Sequence, residues 1–280
     1  MDSSAENPAY TIVIGPSEKW WHFPLRETWE SRGLFSFFLW KDVRVRYKQT
    51  FMGLLWAMMQ PVLEMIVFTI VFGDIYAKSV SNVPYYLFVY AGLLPWTYIA
   101  TTVSSSTQCL VAHADIMKRV YFPRFLLPVA VSVTQLIDVG VALLIMIILM
   151  VIEDVPIGMP LLAIPIASIL LLIAAIGASF WLSALNALYR DVGLILPYFL
   201  RLSMFLTPVV YPLDSLSPTV RTIIWINPLT SAVELSRAAL LPQELVEWKL
   251  VGIGTLLCIA LTVSGFLFFR KMESRILDTL

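Results

Sequence analysis

Three ionisable residues stand inside long apolar runs of this 280-residue sequence: Glu64, Asp138 and Arg201. Charges in such runs are rare, and they pair with one another or line a wet cavity. Their chemistry is the solvation of something polar at depth, not bond making. Thr97, Thr101, Ser104, Ser105 and Gln108 recur at three- to four-residue spacing, which puts them on one helix face. That face can offer hydroxyls and an amide to a passing cargo; the ordinary reading is hydrogen bonding between helices. Phe68, Trp96, Tyr98, Phe199 and Phe205 also fall within apolar runs. Rings of this kind stack on the C–H faces of sugars, although packing is the ordinary account of any single one.

Covalent chemistry has no such foothold. The sequence contains no GxxxxGK[ST] phosphate loop, so it cannot cradle ATP by that device. HExxH, CxxC and GxSxG are absent as well. His22 and His113 lie far apart and read as surface or interface residues. Cys109 and Cys258 sit in apolar stretches and read as small buried hydrophobes. They form neither a disulfide framework nor a zinc site, and no metal centre is expected. The formal net charge of +0 removes the basic footprint that nucleic acid requires.

The elements that must hold these residues are set by hydrophobicity. Apolar residues make up 59% of the chain and charged residues only 14%. A soluble domain runs near 45–50% apolar and roughly 25% charged. The excess comes in blocks, which read as spans at about 52–73, 85–111, 125–152, 159–188, 193–211 and 250–269. Each is near the roughly 20 residues needed to cross hydrocarbon. The predicted fold class is therefore all-α, a polytopic membrane protein with six transmembrane helices.

Residues 1–33, with Pro8, Pro16 and Pro24, read as a polar N-terminal arm, without the basic start and apolar run of a cleaved signal peptide. Over 34–50, Leu34, Phe35, Phe37, Phe38 and Trp40 give way to Lys41, Arg44, Arg46 and Lys48. That suits an amphipathic helix at the membrane interface. Residues 51–280 then form the six-helix domain. With six crossings, 15 of the 19 Lys and Arg residues fall on the side of the termini. The positive-inside rule puts both termini in the cytoplasm.

Two connections stand out. The one at 112–124 carries Asp115, Lys118 and Arg119 around Ile116, Met117 and Val120. It reads either as a short amphipathic helix offered to a soluble partner or as a basic loop that only sets topology. The segment 212–248 holds two helical runs, about 218–226 and 229–241, broken at Asn227-Pro228. It reads as an external re-entrant helical hairpin. Glu234 and Arg237 are three apart on its second run and can face each other.

Four ordered stretches resemble the polysaccharide-export permeases of the ABC-2 type: residues 40–73, WKDVRVRYKQTFMGLLWAMMQPVLEMIVFTIVFG; 118–124, KRVYFPR; 189–193, YRDVG; and 203–212, SMFLTPVVYP, with 227–237, NPLTSAVELSR. The likeness covers nearly the whole chain beyond the arm and is closest to the O-antigen branch. It implies a homodimeric permease in the bacterial inner membrane, with two copies of a separate ABC ATPase that binds ATP and Mg. This chain itself would bind no cofactor. The cargo would be a glycan on an undecaprenyl lipid. Trp40, Arg44, Arg46, Asp115, Lys118 and Arg119 would meet the ATPase. Glu64, Phe68, Trp96, Tyr98, Thr101, Phe199, Arg201 and Phe205 would line the channel. The hairpin, with Asn227, Pro228, Glu234 and Arg237, would shape its exit. Neutral residues are expected where this chain has Glu64 and Arg201. The capsule and teichoic acid branches are similar. A polytopic transferase acting on lipid-linked sugars is the rival reading, although the external acids Asp214, Glu234, Glu244 and Glu247 form no convincing site.

Overall fold

A computed structural model describes residues 29–48, 51–80, 83–156, 158–241 and 248–279. Most of the expected N-terminal arm therefore lies outside the described residues. Among those described, all regular structure is helical. In chain order the helices are α1 (Arg32–Lys48), α2 (Phe51–Tyr76), α3 (Tyr85–Ala112), the short α4 (Ala114–Arg119) and α5 (Leu126–Ile152). A 3-10 turn at Met159–Ala163 leads into α6 (Ile164–Leu188), followed by α7 (Asp191–Phe205), α8 (Pro218–Ile226), α9 (Pro228–Leu240) and α10 (Trp248–Thr279).

Among the described residues, five stretches are long and apolar enough to cross a membrane: Met59–Tyr76, Tyr85–Ala112, Leu126–Ile152, Pro160–Leu188 and Trp248–Ile276. The fifth expected span, 193–211, is different. Its helix, α7, has 15 residues. At 1.5 Å per residue that is about 22 Å, short of the roughly 30 Å of hydrocarbon. The cause is local. Pro208 has no amide hydrogen, and its ring pushes Thr207 out of the helical region. Pro212 repeats the effect, and 206–212 runs as turns and bends.

Helix α1 forms over the stretch expected at 34–50, but its polarity divides along its length rather than around its circumference. Leu34 to Trp40 are mostly apolar and Lys41 to Lys48 mostly charged. Phe38 is buried while its neighbours Phe37 and Trp40 are exposed.

Helix α3 is the hub. It packs against α2, α5, α6, α7 and α9, and Leu87, Val89, Tyr90, Leu93 and Leu110 are fully buried. The most extensively packed helix pair is α6 with α10. A Cβ on Gly177 would lie 2.8 Å from the Thr262 amide nitrogen, so only glycine permits this approach. Thr262 Oγ1 donates to the Ile173 carbonyl at 2.7 Å, and Trp181 stacks on Phe268 at 4.2 Å between centroids. Small residues and interhelical hydrogen bonds are how helices associate where water supplies no drive. Away from these seams the chain is apolar and open. Ile70 on α2 is 77% exposed and Leu194 on α7 is 72% exposed. Patches of this extent are not stable against water and require lipid or protein cover.

Candidate functional site

Two ends of the bundle carry organised polar groups. At the end where α1 lies, a buried cluster gathers Phe38, Cys109, Leu110, Met117, Phe122, Phe125 and Phe269. Phe38 enters it edge-on to His113, with ring centroids 5.6 Å apart, and tilts against Phe122 at 5.5 Å. His113 ends α3 and begins α4. Lys41 Nζ lies 2.8 Å from His113 Nε2, and His113 Nδ1 lies 2.8 Å from the Cys109 carbonyl. Met117 fixes the inner side of α4, while Asp115, Lys118 and Arg119 face outward with Tyr121 beyond them. Trp40 and Arg44 are exposed on α1; the Arg46 side chain lies outside the described part. The charged residues singled out in the sequence therefore form an open surface around a locked elbow.

The same end is closed by two further devices. Asn186 Nδ2 donates to the Thr107 carbonyl at 2.8 Å, and Asn186 Oδ1 accepts from the Gly193 amide at 2.8 Å. One side chain thus ties α3, α6 and the start of α7 together at the YRDVG turn. Glu273 on α10 accepts from Arg270 at 2.6 Å and from Arg124 at 3.4 Å.

The expected channel residues separate into two groups. Trp96 and Tyr98 are buried within the chain, and Tyr98 donates to the Ser132 carbonyl at 3.0 Å. Thr101 is half-buried and donates to the Thr97 carbonyl at 2.7 Å, and Ser105 accepts from Gln135 at 3.3 Å. Part of the polar stripe on α3 is thus spent on hydrogen bonds within and between helices. Phe199, Arg201 and Phe205 instead face outward from α7. Glu64 is half-buried on α2 and accepts from Gln60 at 3.2 Å. Phe68 begins an aromatic ladder through Phe72, Tyr76, Tyr85 and Phe88, with successive centroids 6.2–6.3 Å apart. Among the described residues no ion pair joins Glu64 to Arg201.

The opposite end is organised by Arg237. It is 1% exposed. Nη1 pairs with Glu234 at 2.5 Å, Nη2 donates to the carbonyls of Pro208 at 2.7 Å and Val209 at 3.0 Å, and the guanidinium lies 3.8 Å above the Phe88 ring. Burial pulls the Arg237 pKa down and pushes the Glu234 pKa up, and the pairing opposes both shifts. The carbonyls it reaches are those left open where Pro208 ends the helical path of α7. Tyr85 supports the same strand of backbone by donating to the Val210 carbonyl at 2.7 Å. Asn227 caps α9 by accepting from the Leu229 amide at 3.0 Å, and it reaches Thr207 Oγ1 at 2.9 Å. Sequence reasoning paired Glu234 with Arg237, but it missed that the arginine is buried and bonded to backbone 28 residues away. It also missed the contact between Lys41 and His113; the only local signal was a histidine at a helix junction.

Among the described residues no group of His, Cys, Asp and Glu could hold a metal ion. What remains is a bundle of lipid-length helices, held by buried polar staples and open on its apolar flanks. That defines a multi-pass membrane protein of the transport class. The family model for the ABC-2 type transporter matches residues 33–241, and the chain belongs to that family. It is 27% identical over 252 residues to the O-antigen export system permease protein RfbA of Myxococcus xanthus, covering 89% of this chain and 96% of the relative. A protein of the same name from Klebsiella pneumoniae is 30% identical over 241 residues, covering 86% and 92%. The polysialic acid transport protein KpsM of Escherichia coli is 22% identical over 240 residues, covering 85% and 93%.

Proposed function

We propose that this chain is the membrane subunit of an exporter that moves a lipid-linked polysaccharide, of the O-antigen class, across the bacterial inner membrane. The observation that carries this reading is the near full-length likeness to O-antigen export permeases. The energy comes from ATP hydrolysed, with Mg, on two copies of a separate ABC ATPase, since this sequence has no phosphate loop. The exposed surface of Trp40, Arg44, Asp115, Lys118 and Arg119 is where that partner docks. The α1 end and both termini are cytoplasmic, in keeping with the distribution of Lys and Arg.

The crossing that α7 does not complete as a helix is completed by 206–211. The missing distance is roughly 8 Å, which 206–211 has to cover through its turns and bends. Irregular backbone at that depth is tolerated where protein satisfies it, and Arg237, Tyr85 and Asn227 do so. Helices α8 and α9 form the re-entrant hairpin on the outer side. Two copies assemble through the open faces of α2 and α7. Glu64, Phe68, Phe199, Arg201 and Phe205 then lie near the conduit, while Trp96, Tyr98 and Thr101 back it from α3.

A capsule polysaccharide is the second reading, favoured by the likeness to KpsM. The test is deletion of the gene followed by glycan analysis. Loss of surface O-antigen, with undecaprenyl-linked chains accumulating inside, supports the first reading. Loss of capsule alone supports the second. Unchanged export with altered glycan structure would point to a transferase and sink both.

A further inference from the structure

We infer that Arg201 on α7 binds the phosphate that joins a glycan to its lipid carrier, with the Tyr198 hydroxyl as a second donor. The inference rests on the export reading above and adds the chemistry by which the conduit recognises its cargo.

Helix α7 is thinly covered. It packs chiefly on α3 and α6, and Leu196 is its one buried residue. Leu194, Tyr198, Arg201 and Phe205 follow one another at steps of four, three and four, so they form one stripe along the helix. All four are exposed. Among the described residues no ion pair, side-chain hydrogen bond or ring contact engages Arg201 or Tyr198. The Glu64 carboxylate is taken by Gln60 on its own helix.

A guanidinium set in an apolar face is costly unless an anion or water meets it. Its planar fork of donors suits phosphate, which accepts two parallel bonds. Tyr198 lies one turn nearer the α1 end, where its O–H can donate to the same group.

Depth separates two sources of that phosphate. Arg201 stands ten residues after Asp191, the start of α7. Its Cα is therefore about 15 Å along the helix, roughly half of the 30 Å of hydrocarbon. The headgroup phosphates of resident bilayer lipids lie outside the hydrocarbon, and the arginine stem returns only part of the way to them. The phosphate of a lipid-linked glycan in transit has to pass this level. The exposed rings of Tyr198 and Phe205 lie one turn to either side of the cation, where they can cover the apolar neighbours of that phosphate.

The test uses the permease assembled with its ATPase in nanodiscs of phosphatidylcholine. The probe is a fluorescent undecaprenyl diphosphate carrying one sugar, and undecaprenol is the control without phosphate. Arg201→Gln should weaken probe binding about 10- to 100-fold, the scale of hydrogen bonds to a charged group. Arg201→Lys keeps the charge and loses the fork, so partial binding there separates a lost contact from a lost fold. Tyr198→Phe should lose about fivefold, the scale of one hydrogen bond. Glu64→Gln combined with Arg201→Gln should stay weak, because no cation is left at either position. Equal probe binding by wild type and Arg201→Gln, or recovery in that neutral double variant, overturns the site. So does undecaprenol that prefers wild type to Arg201→Gln as strongly as the probe does, since the phosphate would then not be what is read. Replacing part of the phosphatidylcholine by phosphatidylglycerol separates the sources. Unchanged probe affinity assigns the phosphate to the cargo. Displacement of the probe from wild type by phosphatidylglycerol assigns it to a bilayer lipid and overturns the inference. If the probe binds through Arg201 while deletion of the gene leaves surface glycan unchanged, the site stands and the export reading falls.

Discussion

Gly92 and Arg237 compete for one volume: a Cβ on Gly92 would lie 2.6 Å from Arg237 Nη2 and 2.6 Å from the Val209 carbonyl oxygen. The glycine lets α3 approach the non-helical end of α7, and the guanidinium fills the remaining gap. Gly92→Ala should therefore destabilise the protein by about 1–3 kcal/mol, the usual cost of overpacking a filled site. Thermal unfolding in detergent would show it. Arg237→Ala removes one of the two obstructions, so the double mutant should cost less than the sum. Strict additivity would mean that the two residues do not share the site.

Arg237 should itself be hard to replace. Removing it strands Glu234, whose side chain is 16% exposed, and leaves the Pro208 and Val209 carbonyls open. Breaking a buried pair from one side costs about 3–5 kcal/mol. Lysine keeps the charge but loses the planar fork, so Arg237→Lys should recover only part of the loss. Arg237→Met with Glu234→Leu should do better than Arg237→Ala, because no charge is left stranded. A neutral Arg237→Ala in an unfolding assay would refute the staple.

Asn227 has two separable jobs. Its Oδ1 caps α9, and its Nδ2 holds Thr207. Asn227→Asp keeps the acceptor and deletes the donor. It should leave α9 intact while amide exchange quickens at 206–211. Asn227→Ala should lose both, adding about 1 kcal/mol for the missing cap. Unchanged exchange at 206–211 in both mutants would show that the Thr207 contact holds nothing.

The sequence made these features visible to different degrees. The break at Asn227-Pro228 was legible because proline acts locally, and α8 and α9 fall on either side of it as expected. The length of α7 was not, because hydropathy across 193–211 stays high while Pro208 and Pro212 interrupt the helix. The polar stripe on α3 was placed on one face, but periodicity cannot say whether that face meets a neighbouring helix or a conduit. Arg237 counted as an outer charge because its burial depends on Gly92 and Phe88, far away in the chain. The Lys41–His113 contact joins residues 72 apart and leaves no periodic trace.

The last prediction concerns Glu64 and Arg201. The sequence suggested that both face the conduit, paired or in water. Within one protomer Glu64 hydrogen-bonds Gln60 on its own helix, and Arg201 faces outward beside Phe199 and Phe205. Helix α7 packs on α3 and α6, which leaves this face free for a partner. If the two charges pair, they do so between copies, with α2 of one protomer against α7 of the other. Each single reversal, Glu64→Arg or Arg201→Glu, should weaken the dimer or its export. The double reversal should recover part of that loss. The size reports the surroundings: about 3–5 kcal/mol if the pair is dry, and within about 1 kcal/mol if water fills the conduit. Co-expression of Glu64→Cys and Arg201→Cys protomers should give an oxidised species of dimer mass, since Cys109 and Cys258 are buried. Silent single mutants together with an uncrosslinked monomer would remove these charges from the interface and leave the proposed dimer without its α2–α7 contact.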